Sequence, residues 1–212
     1  LDLRDYAEIV IRGGFPEPAI RLPPSERAPW LDSYLEVLLS RDVTALSARP
    51  DPDLLRRYFE ACAVNTAGAV TQRTLNDTAG ITKATGEGYD SLLQQLLVVE
   101  SLPAWWSNRL KRLTKAPKRY VVEPSLALAA LRMDLDGLMR DGDLIARILD
   151  TLVVAHLRAD LPRCASRPRL YHLRTREGRQ EVDVIVEYGG GNIFALEVKA
   201  TASPNKEDAR HI

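Results

Sequence analysis

The chain has 212 residues, of which 45% are hydrophobic and 27% charged, so its composition is that of a folded globular protein and excludes a disordered or fibrous one. Its 29 lysine and arginine residues balance 29 aspartate and glutamate residues, so the net charge indicates neither a nucleic acid nor a membrane partner. Two cysteines without C-x-x-C spacing argue against a disulfide framework or a zinc site, and no apolar run reaches the roughly 18 residues of a transmembrane helix. We therefore expect a cytoplasmic protein with no membrane partner.

Helical patterns dominate the first half of the chain. Apolar residues recur at helical spacing from Trp30 to Leu46 and again from Pro52 to about Asn65, and the prolines between them end the first helix. Residues 71–97 then read as a helix, a tight turn at Gly80 and a longer helix, which is the outline of a helix-turn-helix. The apolar run that follows and the segment KRYVVEP fit two strands of a wing. Residues 1–125 are therefore predicted to form a helical, winged-helix-like domain.

A different pattern follows in the second half. An apolar-faced helix is predicted over residues 143–161, and three strand-like stretches come after it, LYHLRT, EVDVIVEY and NIFALEVKA. A helix followed by a run of antiparallel strands is typical of an α+β or α/β unit. We therefore predict an α+β chain with a second domain over residues 126–212.

The hairpin formed by the last two strand-like stretches carries an unusual set of charges. Its GGG loop can adopt positive φ without steric cost, which fits a three-residue connection between two strands. Pairing Tyr188 with Asn192 places Asp183 directly across from Glu197, and Lys199 shares the same face. Adjacent carboxylates repel each other, so a positive charge is expected between them; Lys199 can supply part of it, and a hard divalent cation would supply more.

A third carboxylate comes from the helix before the hairpin. On a helical projection Asp150 falls among apolar residues, and a buried charge without a partner costs several kcal/mol. We therefore expect Asp150 to have a partner such as the metal ion or Lys199. The alternative for the hairpin is a charged strand face in solvent, since acids and lysines alternate on many exposed strands.

The helix acid, the strand acid and the E-x-K of the next strand resemble the PD-(D/E)xK nuclease superfamily. Five segments lie along the chain in a characteristic order: GGFPE at 13–17, WLDSYLE to RDV at 30–43, LNDTAGITKAT to LLQQLLVVESLPAW at 75–105, NRLKRLTKAPKRY at 108–120, and YHLRT to ALEVKA at 171–200. Together they resemble one family, the uncharacterised domain found C-terminal to AAA-type ATPase modules of bacteria and archaea.

The resemblance implies a winged-helix-like front and a restriction-endonuclease-like back. In the superfamily the acids bind Mg²⁺ and the lysine orients the attacking water, so Asp150, Asp183 and Glu197 would be the metal ligands and Lys199 the catalytic lysine. The family usually has glutamate at the helix position, so the shorter Asp150 departs from its pattern. The resemblance also implies an ATPase module earlier in the full protein and further elements after E-x-K, so we expect a fragment that is truncated at its C-terminus. Without a G-x-x-x-x-G-K-[ST] motif, this chain is not expected to bind ATP itself.

Basic residues in the front domain make DNA a candidate partner. Between Glu100 and Glu123 the chain has six cations and no acid, and Lys83 is expected to be exposed on the second helix of the helix-turn-helix. Glu87 and Asp90 on the same helix would repel phosphate. A solvated surface turn and a face that contacts the ATPase module are alternatives for the basic run. The candidate nucleic-acid residues are Lys83, Arg109, Lys111, Arg112, Lys115, Lys118 and Arg119.

Two functions fit these patterns. In the first, the chain is a DNA-associated module of an AAA-type ATP-binding protein and carries a Mg²⁺-dependent phosphodiesterase site. In the second, it is a non-catalytic module with a vestigial nuclease fold, which regulates the ATPase or joins subunits. A shared fold hosts many functions, so the fold cannot choose between the two.

Overall fold

A computed structural model of the chain describes residues 1–42, 50–108, 116–175 and 181–201. Within these ranges helices combine with two antiparallel sheets, so the predicted α+β class is confirmed. No helix of the described part is long and apolar enough to cross a membrane. The helices are α1 Leu3–Arg12, α2 Pro24–Val37, α3 Pro52–Val64, α4 Gln72–Ala79, α5 Lys83–Gln95, α6 Pro124–Ala130, α7 Leu135–Arg140 and α8 Gly142–Asp160. The strands are β1 Val99–Leu102, β2 Lys118–Val121, β3 Arg169–Arg174, β4 Glu181–Glu187 and β5 Ile193–Leu196.

Local sequence signals fix where the front helices begin. The residues before α3, α4 and α5 each accept a hydrogen bond from a backbone N–H of the first turn, and they are Asp51, Thr71 and Thr82. Helix α3 begins where the sequence predicts it. Helix α2 begins before the predicted Trp30, because Pro24 suits the first position of a helix, where no N–H is needed.

The helices α4 and α5 are joined by the turn that the sequence predicts. Gly80 ends α4 at a φ of 69°, a left-handed conformation that glycine adopts without steric cost. The two helices approach closely at Gly86, where a Cβ atom would overlap the side-chain amide of Asn76. This contact explains why a helix-weakening glycine lies inside α5. After α5, the strands β1 and β2 pair antiparallel, with Glu100 opposite Tyr120.

The back of the molecule contains a three-stranded antiparallel sheet in the order β3-β4-β5. The predicted hairpin is confirmed, since the Tyr188 amide donates to the Asn192 carbonyl at 2.8 Å and the predicted register continues to Val184 opposite Leu196. Gly190 in the loop has a φ of 81°, which glycine tolerates best. Helix α8 packs beside this sheet and occupies the range that the apolar pattern predicts.

Strand β2 lies between the helical front and the back sheet. One buried apolar cluster contains residues of both halves, namely Ala67, Leu102, Tyr120, Val154, Val184 and Val186. An ion pair between Glu100 and Arg158 joins β1 to α8, and a bridge between Ala104 and His172 joins the segment after β1 to β3. The core of the back half therefore continues into β2. The domain division at residue 125 stays a prediction.

Candidate functional site

Strand β2 carries a lysine into the interior of the protein. Only 1% of Lys118 is exposed. Its Nζ lies 2.9 Å from Asp183 Oδ1, 3.4 Å from Glu181 Oε1 and 3.5 Å from Asp150 Oδ2. A buried cation therefore lies among carboxylates of α8 and β4. The four residues Lys118, Asp150, Glu181 and Asp183 are called the Lys118 cluster below.

The alternation of a β-strand explains how Lys118 reaches this position. Residues two apart on a strand share a face, so Lys118 and Tyr120 point the same way and Arg119 points the other way. The Tyr120 hydroxyl lies 3.3 Å from Asp150 Oδ1 and donates to it. Burial, followed by the charge of Asp150, raises the pKa of Tyr120, which keeps the hydroxyl protonated as a donor.

Asp150 is buried, as its place on the apolar face of α8 predicts. The partner that the structure supplies is Lys118 together with Tyr120, and not the expected Lys199. Burial, aided by the charge of Asp183, raises the pKa of Asp150 to about 7, although the ammonium of Lys118 opposes the shift. Asp150 therefore titrates near neutral pH.

Lys118 keeps its charge in this buried place. Burial alone would lower the pKa of its ammonium, but the carboxylates of Asp150 and Asp183 outweigh that effect, so the pKa is raised. A lysine surrounded by acids in this way is a fixed cation over the whole physiological pH range. The cluster therefore holds three carboxyl groups around one permanent positive charge.

The hairpin holds Asp183 and Glu197 just beyond the end of the β4–β5 ladder. The ladder stops one residue before this predicted cross-strand pair, because the Asp183 carboxylate accepts the backbone N–H of Val198 at 3.0 Å. Glu197 Oε1 accepts a hydrogen bond from the Lys199 ammonium at 2.7 Å. Glu197 Oε2 is buried and has no hydrogen-bond partner among the described residues.

The four predicted catalytic residues thus form two pairs with different partners. Asp150 and Asp183 share Lys118, whereas Glu197 and Lys199 bind each other. Within the described ranges, no group of three or more His, Cys, Asp or Glu side chains is arranged to hold a metal ion. This arrangement does not fit a magnesium ion where the superfamily resemblance implies one, and Mg²⁺ stays a prediction.

His172 is a buried polar residue near the cluster that the sequence analysis does not single out. Its Nε2 lies 3.2 Å from the carbonyl oxygen of Ala116, and its Nδ1 has no hydrogen-bond partner in the described part of the chain. Burial, helped by the positive charge of Lys118, lowers the pKa of His172 to about 4. The histidine is therefore neutral at physiological pH. The sequence signal that could have indicated a buried histidine is its place among the apolar residues of the strand segment LYHLR.

Arg119 points away from Lys118 and into the helical front. Its guanidinium donates to Asp90 Oδ1 at 2.9 Å and to Gln72 Oε1 at 2.7 Å. Asp90 also accepts hydrogen bonds from the Tyr58 hydroxyl and the Gln94 side chain. This polar network, called the Arg119 network below, joins α3, α4 and α5 to β2.

The prediction that Lys118 and Arg119 contact nucleic acid is corrected by these positions. Both side chains are buried and paired with acids, so they do not reach a surface that phosphate could approach. Lys83 is different, since 84% of its side chain is exposed and its ammonium lies 3.7 Å from Glu87. The other candidate nucleic-acid residues lie outside the described residues, and they are Arg109, Lys111, Arg112 and Lys115.

Comparison with known proteins finds relatives along most of the chain. The uncharacterized protein Mb2031c of Mycobacterium bovis and the uncharacterized protein Rv2008c of Mycobacterium tuberculosis are each 27% identical to it over 195 residues. The aligned region is 92% of this chain and 43% of each relative, so the chain spans less than half the length of these relatives. No solved structure matches the chain.

Two domain families match different parts of the chain. Residues 146–212 are similar to the domain of unknown function DUF4143, which is found in AAA-ATPase-associated proteins. Residues 3–136 match the domain of unknown function DUF8612. Because this second match covers more than half of the residues, the chain belongs to the DUF8612 family.

Proposed function

We propose that this chain is a non-catalytic interaction module of an AAA-ATPase-associated protein, in which a nuclease-like fold serves as a scaffold. The observation that carries the proposal is the Lys118 ammonium, which lies buried between Asp150 and Asp183. Metal-dependent phosphodiester hydrolysis needs carboxylates that are available to a metal ion. Here a cation fixed to the chain engages two of those carboxylates, so the cluster contributes to stability rather than to chemistry.

The connection between the two halves supports a module that moves as one body. Strand β2 holds the back half through Lys118 and the front half through Arg119, and both pairs are buried. Breaking a buried ion pair costs about 3–5 kcal/mol, so neither contact is readily given up. A rigid module of this kind can hold a partner surface in a fixed position, and the partner in this proposal is the ATPase module.

We also propose that the front half is a winged-helix-like fold and the back half a nuclease-like fold. The front has two helices, α4 and α5, joined at Gly80 and followed by the antiparallel strands β1 and β2. The back has Asp150 on a helix, Asp183 on a strand and E-x-K directly after the next strand. The similarity to DUF4143 and the greater length of the relatives support a place within a longer, ATPase-associated protein.

A plasmid-nicking assay tests the non-catalytic role. The wild-type chain is compared with Asp183→Asn and Lys199→Ala, each in Mg²⁺, in Mn²⁺ and in EDTA. We expect all three proteins to show the same background in every condition. Nicking by the wild type that requires a divalent cation and disappears in both variants would replace the proposal with an active nuclease.

A second candidate function is DNA association by the front half, which is favoured by the position of Lys83. This residue is exposed in the first turn of α5, the second helix of the helix-turn-helix pair. Asp90, which the sequence pattern treats as a repulsive acid, is turned inward and paired with Arg119. Positive charge at the start of α5 therefore faces fewer acids than the sequence predicts.

A further inference from the structure

A groove opens beside β1 and β3, where the two halves of the chain meet. The segment after β1 lies parallel to β3 at one point, where the His172 N–H donates to the Pro103 carbonyl at 3.0 Å and the Trp105 N–H donates to the His172 carbonyl at 2.6 Å. No other backbone hydrogen bond joins these two segments in the described part of the chain. Before this point the strands and the end of α8 enclose a groove of about 580 Å³, which is called the Arg167 groove below. Its walls include Ser101, Leu102, Arg158, Leu161, Arg167 and Leu170.

Both strands turn backbone N–H and C=O groups toward the groove. Ser101 lies opposite Arg119 in the β1–β2 ladder, but the Arg119 N–H donates to the Gly68 carbonyl at 3.3 Å, on the other side of β2. Ser101 and Arg119 are therefore a pair without mutual hydrogen bonds, and the N–H and C=O groups of Ser101 point away from β2. Leu170 lies two residues before His172 on β3, so its backbone groups point to the same edge as those of His172. No other backbone group of the described residues pairs with these groups, so both strand edges are open at the groove.

The side chains that line the groove are apolar or charged. Three leucines and three prolines supply its apolar surface. Arg158 is paired with Glu100, whereas Arg167 is exposed and has no acidic partner among the described residues. Arg169, at the start of β3, is likewise exposed. Residues 158–169 contain four arginines and one acid, so positive charge is in excess on this side of the groove.

These features favour a peptide over a nucleic acid as the occupant of the groove. An open strand edge binds an extended peptide through main-chain hydrogen bonds, and pockets beside the edge select alternate side chains. Excess positive charge at the rim selects acidic residues in that peptide. A nucleic acid is bound chiefly through cations along its phosphates, and it gains little from walls of leucine and proline.

We propose that the Arg167 groove binds an extended segment of a partner protein in which acidic residues alternate with apolar ones. The segment pairs with the open edge of β3 at Leu170, and its apolar side chains contact the leucines of the groove. Its acidic side chains meet Arg167 at the rim. This inference deepens the proposed function and rests on it, because it names the surface through which the interaction module holds its partner.

Fluorescence anisotropy with a labelled peptide tests this assignment. The peptide is Glu-Val-Glu-Leu-Glu-Val-Glu with blocked ends, and its counterpart has lysine in place of every glutamate. We expect the wild-type chain to bind the acidic peptide and to bind the basic one at least about tenfold more weakly, because charges across an interface discriminate between partners. A version of the acidic peptide that is N-methylated at its three central residues should not bind, since it lacks the N–H groups that pair with a strand edge.

The variant Arg167→Glu and its matched control Arg163→Glu locate the binding on the protein. Both arginines are exposed in the segment between α8 and β3, but of the two only Arg167 lines the groove. We expect Arg167→Glu to weaken binding of the acidic peptide by about fivefold or more and Arg163→Glu to leave it within about twofold. Leu170→Glu places an acid beside the apolar surface and should abolish binding. Because Arg167 is exposed, its variant keeps the test decisive even where Leu170→Glu does not fold.

Any of several results overturns the inference. They are no binding of the acidic peptide at millimolar concentration, equal binding of the acidic and basic peptides, undiminished binding of the N-methylated peptide, and equal losses in Arg167→Glu and Arg163→Glu. A labelled DNA duplex that binds more tightly than the acidic peptide and is lost in Arg167→Glu would assign the groove to nucleic acid and overturn the inference as well. None of these results depends on nicking activity, whereas metal-dependent nicking would remove the proposed function whatever the peptides do.

Discussion

Lys118 and Arg119 are neighbours on β2, yet their cationic groups point to opposite sides of the strand and bind acids in different halves of the chain. Lys118 Nζ lies 2.9 Å from Asp183 in the back sheet, and Arg119 Nε lies 2.9 Å from Asp90 on α5. Along the chain, Asp183 comes 65 residues after Lys118, and Asp90 comes 29 residues before Arg119. One strand thus links the helix-turn-helix pair to the predicted nuclease-like residues.

The Arg119 network predicts a large loss of stability when its cation is removed. Arg119→Met should lower the free energy of unfolding by about 3 kcal/mol, because it leaves the Asp90 carboxylate buried without its charged partner. Urea unfolding measures the loss. In the control Arg73→Met, the residue is 90% exposed in an ion pair with Asp77, so the change should cost less than about 1 kcal/mol. Similar losses in the two variants would show that the buried network contributes little.

The titration of Asp150 predicts a pH-dependent difference between the wild type and Asp150→Asn. The pKa of this acid is raised from 3.8 to about 7 in the folded state, so the folded protein binds a proton that the unfolded chain releases between these values. As the pH rises across this window, the free energy of unfolding of the wild type should therefore fall relative to that of Asp150→Asn by about 1.4 kcal/mol per pH unit, and the difference should stay level above it.

Urea unfolding of both proteins between about pH 4 and pH 8 checks this difference. The two proteins must be compared, because His172 is present in both and acts in the opposite direction. Its lowered pKa makes the free energy of unfolding rise with pH between about pH 4 and pH 6.5. Lys118, Asp183 and Tyr120 also face Asp150 and are present in both. A difference in unfolding free energy that stays constant with pH would contradict the buried, uncharged form of Asp150.

The two glycines inside α5 should respond in opposite directions to alanine. Gly86→Ala should destabilise the protein by about 2 kcal/mol, because its Cβ atom would overlap the Asn76 side chain in the α4–α5 contact. At Gly88 no atom lies within 4 Å of an added Cβ atom, so Gly88→Ala should stabilise the helix by about 1 kcal/mol. Thermal or urea unfolding measures both changes. The close approach of α4 and α5 would be refuted by two changes of the same sign.

The DNA-association candidate predicts binding that weakens steeply with salt. Fluorescence anisotropy with a short labelled duplex should show binding at low salt. A plot of the logarithm of the binding constant against the logarithm of the salt concentration should become shallower by about 0.9 for each phosphate contact that a variant removes. One variant replaces Lys83 by glutamine. A second replaces together, also by glutamine, the members of the basic run other than the buried Lys118 and Arg119, namely Arg109, Lys111, Arg112 and Lys115. Arg73→Gln serves as an exposed control. Undetectable binding at low salt would leave the interaction module as the sole candidate.

Patterns of short range predict much of the fold. Glycines at 189–191 and strand alternation predict the hairpin register, which the Tyr188–Asn192 hydrogen bond confirms. Pro52 predicts the start of α3, and Gly80 predicts the turn between α4 and α5. These features depend on neighbours a few residues away, so the sequence displays them directly.

The partner of Asp150 could not be read from the sequence in the same way. Its apolar helix face indicates that the acid needs a cation, but several lysines and arginines could supply one. Lys118 lies within a basic run, which favours an exposed position, and its burial arises only when β2 packs between α8 and β4. A strand on which both faces are buried has to pair its charged residues internally, and that property depends on tertiary packing.

A double-mutant cycle between Lys118 and Asp183 tests the central claim most directly. Unfolding free energies of the wild type, Lys118→Met, Asp183→Asn and the double variant are measured by urea titration in EDTA. Because the two charged groups lie 2.9 Å apart and are largely buried, we predict a coupling free energy of about 2 kcal/mol or more. Effects that add to within about 0.5 kcal/mol would contradict the claim that the Lys118 ammonium holds the carboxylates of the predicted metal site.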